Sequence, residues 1–90
     1  MVLTENTLDE LLAYMEKSMN NLAKEAFANL ELGGEFSRVE NFLQNQFDIR
    51  FENLLMAKNS GIHHLESKMK NKAIQRKQKI LEQIIKEFKN

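Results

Sequence analysis

The chain contains no proline, and its three glycines, Gly33, Gly34 and Gly61, all fall within residues 33 to 61. Residues that interrupt a helix are thus confined to two places, and a chain broken only twice resolves into few, long elements. Periodicity says which kind. Leu8, Leu11, Leu12, Met15, Met19, Leu22, Ala26 and Leu30 recur mostly by threes and fours, so they share one helical face. Thr7-Leu-Asp-Glu10 has capping-box spacing at the start of this stripe, and Gly33-Gly34 supplies a stop after it. A second stripe, Val39, Leu43, Phe47, Phe51, Leu54 and Leu55, follows Ser37-Arg-Val-Glu40 and ends before Asn59-Ser60-Gly61. Ser37 and Ser60 read as helix caps. A third stripe, Ile62, Leu65, Met69, Ala73, Ile80, Ile84 and Phe88, meets no breaker.

The expected fold is all-α, with three long helices over about 8–31, 37–58 and 62–89. At 1.5 Å per residue these are rods of about 35, 35 and 40 Å, well matched for an up-down-up bundle or for a hairpin whose third helix pairs with another chain. Residues 1–90 form one domain, with 1–6 a flexible N-terminus and 32–36 and 59–61 as interhelix links. Ninety residues support no more than one core, and 42% hydrophobic with 29% charged residues suits a folded chain. One segment competes with the helical pattern. Phe47-Asp-Ile-Arg-Phe51 alternates as a strand would, but five residues without flanking turn signals weigh less than a stripe spanning the whole segment.

Four of the six phenylalanines lie within 36–51, and Phe42 and Ile49 fall off the main stripe, so helix 2 is expected to be central and to need two neighbours. Equal numbers of acids and bases, 13 of each, remove the self-repulsion that opposes association. A homodimer is therefore expected. Phe42, Phe47, Phe51, Met69, Ile80 and Ile84 are the candidate residues for helix packing or for the dimer interface.

The balanced charge hides an asymmetry. Residues 1–61 carry ten acids and five bases, whereas 62–90 carry three acids and eight bases. Lys68, Lys70, Lys72, Arg76, Lys77 and Lys79 follow one another without an intervening acid. On a helix, Lys68, Lys72, Arg76 and Lys79 form one basic stripe, while Lys70 and Lys77 interrupt the apolar seam and should leave the middle of helix 3 less buried than its ends. The stripe has two readings. It is a solvated face that pairs with the acidic first helix, or it neutralises a nucleic-acid backbone or an acidic partner. Five lysines to one arginine in this run, without interleaved aromatics, favour neither base readout nor stacking on single strands.

Little in the sequence points to catalysis. With no cysteine there is no thiolate nucleophile, disulfide or cysteine-held zinc. His63 and Glu66 stand at i, i+3, but two ligands do not make a metal site, so His63-His64 reads as an exposed pair. Ser18, Ser37, Ser60 and Ser67 lack a base and an oxyanion hole, and Gly33-Gly34 lacks a phosphate-binding continuation. No catalytic, cofactor-binding or metal-ligating residue is assigned. Tyr14, the one tyrosine, sits beside the helix-1 stripe as a boundary residue.

Two helices joined by Gly33-Gly34 resemble the layout of small helical-hairpin secretion partners, but their Trp-x-Gly turn is missing and the chain has no Trp. Ten lysines against three arginines, with ten asparagines, suit the coding bias of an AT-rich bacterial, phage or plasmid gene. Met1-Val-Leu-Thr-Glu-Asn shows no basic leader, and no apolar run reaches membrane-spanning length, so a cytoplasmic, non-membrane protein is expected. The function that follows is that of a small non-enzymatic regulatory protein that binds another protein, of adaptor or inhibitor type. Accessory nucleic-acid binding through the basic face of helix 3 is the alternative.

Overall fold

The computed structural model describes residues 3–28 and 36–89, and these form a three-helix bundle. Helix α1 spans Glu5–Ala28, α2 spans Phe36–Ala57 and α3 spans Ser67–Lys89, with a short 3-10 turn at Ile62–His64 before α3. The expected end of the first helix near residue 31 and the Gly33-Gly34 link lie outside the described residues. No strand occurs among the described residues, and Phe47-Asp-Ile-Arg-Phe51 lies inside α2. In a strand Phe47, Ile49 and Phe51 would share a face. The helix instead puts both phenylalanines in the core and turns Ile49 to solvent, where it is 53% exposed.

The helix ends correct several boundaries. Helix α1 starts at Glu5, not at Leu8, because Thr4 is the cap: its Oγ1 accepts the Thr7 N–H at 3.1 Å and its carbonyl accepts the Leu8 N–H at 2.9 Å. Leu3, just before this cap, packs onto the core that Leu8 opens, which is the arrangement of a hydrophobic staple. Starting at Thr7 would forfeit that contact, and residues 5 and 6 are therefore helical rather than part of a free N-terminus. Ser37 lies in the first turn of α2 and not ahead of it, since the helix opens at Phe36.

The α2–α3 link is longer than residues 59–61. Asn59 takes the left-handed conformation, φ 58°, and donates its N–H to the Met56 carbonyl, while the Ser60 N–H donates to the Leu55 carbonyl. These are the two bonds of a Schellman motif, so Ser60 closes α2 and does not cap α3. Gly61 is buried and extended. Glu52 reaches over it to accept the Ile62 N–H at 3.3 Å, and a Cβ on Gly61 would lie 2.9 Å from the Glu52 Oε1. Leu65 is then extended at φ −75°, ψ 138°, which sends its side chain into the core and delays the α-helix to Ser67. The continuous helix expected from Ile62 is thus broken by a tertiary anchor rather than by a helix-breaking residue.

The bundle measures 47 × 20 × 18 Å. Its core is built from Leu8, Leu12, Met15 and Met19 of α1, Leu43, Phe47 and Leu55 of α2, and Ile80 and Ile84 of α3. Phe27 stacks on both Phe36 and Phe88 with centroids 4.8 Å apart, joining the last turns of α1 and α3 to the first turn of α2. That cluster fixes the up-down-up direction. The central helix is α1 and not α2: α1 packs extensively on both neighbours, whereas α2 and α3 approach each other least. Phe42 and Ile49 are exposed, so α2 does not spend a second apolar side inside the bundle.

Candidate functional site

Each cation of the predicted stripe can be followed to its surroundings. Lys68 pairs with Glu5 at 3.3 Å, Lys72 with Asp9 at 2.6 Å and Arg76 with Glu16 at 2.8 Å. The partners climb together because α1 and α3 run parallel, and one acidic flank meets one basic flank along the seam. Lys79 makes no ion pair among the described residues and borders the open trough beside Lys72 and Arg76. The Asp9 carboxylate shares this trough, so its floor is not uniformly positive. The hydrogen bond that Lys72 donates to the Asp9 carboxylate raises the ammonium above its ordinary pKa against the opposing effect of burial, and the charges of Asp9 and Glu5 reinforce the rise. The Lys68–Glu5 pair is exposed and the other two are half-buried at the surface, so they orient α3 against α1 more than they stabilise the fold.

The six candidate packing residues separate sharply. Phe47, Phe51, Met69, Ile80 and Ile84 are buried in the chain's own core, and Phe42 alone is 44% exposed. Five of the six are thus spent within one chain.

The loosest part of the bundle is the seam between α2 and α3. A cavity of about 150 Å³ opens there over Phe47, Phe51, Leu65 and Ala73, with Ile74 and Lys70 at its rim. Lys77 spans it, 2.7 Å from Asp48 and 5.8 Å above the Phe47 ring. Past this strut the groove continues as a trough of about 370 Å³ between Gln44, Leu81 and Ile85. Lys70 and Lys77, the two bases that interrupt the apolar seam, both line this cavity. The middle of α3 is accordingly its shallowest part: residues 74–79 include no buried side chain, whereas Met69 and Ala73 before them and Ile80, Leu81 and Ile84 after them are buried. Ile74, 49% exposed on the rim, belongs to no stripe marked in the sequence, although Ile74, Leu81 and Ile85 form a second row at helical spacing beside the main one.

The remaining candidates do not assemble into a reactive site. His63 and His64 belong to the 3-10 turn and Glu66 precedes α3, so they do not share a helix. Among the described residues no three side chains of His, Asp or Glu converge as metal ligands would. Ser18 accepts a 2.7 Å bond from Arg50 Nη1 and helps tie α1 to α2. Tyr14 is 59% exposed beside that contact.

The chain matches no known protein family, no curated protein and no solved structure. Its architecture and surfaces alone carry the functional reading. No described helix is long and apolar enough to cross a membrane.

Proposed function

We propose that this chain is a small non-catalytic helical protein that binds another protein, as an adaptor or inhibitor does, through the groove between α2 and α3. The observation that carries the reading is that groove itself: an apolar floor of Phe47, Phe51 and Leu81, an exposed Ile74 on its rim, and two helices far enough apart to leave a cavity. A three-helix bundle with one open seam accepts a fourth amphipathic helix, whose apolar side would enter at i, i+3, i+4 and i+7. Lys70, which has no ion-pair partner among the described residues, favours an acidic residue on that helix.

The nucleic-acid alternative is less well supported, because three of the four cations it needs are engaged by α1 carboxylates. A titration with duplex and single-stranded DNA and RNA at low salt separates the readings. The protein-binding reading expects no retention. Retention that weakens steeply with salt, and that loses about one unit of log–log slope for each of Lys68, Lys72, Arg76 and Lys79 replaced by Gln, would replace it. A photo-crosslinking residue at position 74, compared with one at the exposed Gln75, tests the groove directly in cells that express the protein. The proposal expects a protein adduct specific to position 74 and is refuted when both positions behave alike.

A further inference from the structure

On the outer face of α2, opposite its buried stripe, Phe42, Ile49 and Met56 are 44%, 53% and 61% exposed. They stand seven residues apart, so each is displaced about 10.5 Å along the helix and only about 20° around it from the last. This is the spacing of a left-handed helix–helix seam. Its flanks are Gln46 and Asn53 on one side and Asn45 and Glu52 on the other, and Glu52 is turned toward the Ile62 N–H. The strip thus has large apolar side chains at regular intervals with almost no charge between them, as the core of a protein interface does.

We propose that two copies of this chain pair antiparallel across this face, about a two-fold axis at Ile49. The stripe is symmetric about that residue, so one patch serves both copies, as an isologous contact requires. Ile49 meets Ile49, and Phe42 meets the second copy's Met56, a favourable ring–sulfur contact. Gln46 then lies opposite Asn53, and Asn45 opposite Glu52, so no like charges are brought together. Antiparallel helices also oppose their dipoles favourably. The three side chains expose roughly 300 Å² of apolar surface per copy. With the amide flanks, pairing buries roughly 1,000 Å² in total, the low end for a specific interface, which fits a weak, reversible dimer. The α2–α3 groove faces elsewhere and stays open in this dimer, so the two sites stand or fall separately.

Because the chain has no cysteine, single introduced thiols report the pairing without background. Sedimentation equilibrium on the full chain should show mass rising with concentration, and Ile49→Glu should weaken the association at least tenfold while leaving the circular dichroism melt unchanged. Mixing Phe42→Cys with Met56→Cys protein under mild oxidation should give the mixed disulfide in preference to either homodimer. A wild-type mass that stays monomeric up to about 1 mM overturns the proposal. So does an Ile49→Glu variant that associates normally, and preferential 42–42 and 56–56 disulfides overturn the antiparallel arrangement. The position-74 adduct is read in the Ile49→Glu background too, so loss of the dimer and loss of the partner groove are told apart.

Discussion

Gly61→Ala is a substitution whose sign depends on a second residue. At φ −171° Gly61 is extended, so alanine suffers no backbone strain there. The new Cβ would sit 2.9 Å from the Glu52 Oε1, and the carboxylate must move off the Ile62 N–H that it accepts through Oε2 at 3.3 Å. Losing a part-buried bond to a charged acceptor costs about 1.5 kcal/mol. Removing glycine's freedom from the unfolded chain offsets roughly 0.4–1 kcal/mol of that. A net destabilisation of about 0.5–1 kcal/mol is therefore expected. In a Glu52→Ala background the nearest remaining atom is His64 Cδ2 at 3.6 Å, an ordinary contact. There the same substitution should stabilise by about 0.4–1 kcal/mol. Urea unfolding followed by far-ultraviolet circular dichroism resolves this: with a slope near 1 kcal/mol per molar, the midpoint moves by about 0.4–1 M, in opposite directions in the two backgrounds. Equal destabilisation with and without Glu52 would refute the reasoning.

Phe27→Ala removes the ring that stacks on Phe36 and Phe88 and so should cost about 2–3 kcal/mol, because it uncouples all three helices at one end; the thermal midpoint reads it. Asn59→Gly should stabilise by a few tenths to about 1 kcal/mol, and Asn59→Val should destabilise, since a residue at φ 58° favours glycine and strains a β-branched side chain; urea midpoints of the two variants must fall on opposite sides of the wild type. Lys72 is held above its ordinary pKa by Asp9, so its contribution to stability is fully present below the unfolded lysine value of about 10.4 and fades as pH rises through the higher folded value. Wild type and Lys72→Met should therefore differ by a constant amount from pH 7 to about 10 and converge above it; a gap that widens with alkali contradicts the assignment. Lys68→Ala should leave the urea midpoint unchanged, because that pair is 3.3 Å long and its lysine is 80% exposed.

Much of this architecture was legible in one dimension. The Asn59-Ser60-Gly61 break and the three-and-four spacing of Leu8 to Met19, Val39 to Leu55 and Met69 to Ile84 specify helices whose faces the structure buries. These are properties of neighbours along the chain. The local alternation at Phe47–Phe51 was also decidable, because the helix that contains it buries both rings on one side. Boundaries were less legible where a local signal was overruled by packing. The capping-box spacing pointed to Thr7, whereas the structure caps α1 at Thr4, where Leu3 docks onto the core.

Other features depended on how the helices met. The basic stripe was visible in the sequence as a periodic run, but only the parallel course of α1 and α3 brings Glu5, Asp9 and Glu16 to within 2.6–3.3 Å of Lys68, Lys72 and Arg76. The choice of α1 as central helix, the groove beside Ile74 and the break before α3 follow from the same docking. Periodicity fixes which residues share a face because a helix repeats every 3.6 residues whatever surrounds it. Which faces meet, and which are left to solvent, depends on side-chain volume and charge contributed by segments distant in sequence. For this chain the sequence by itself determined three amphipathic rods, and the tertiary structure decided that their charges satisfy one another along α1 while apolar surface stays open on α2 and α3.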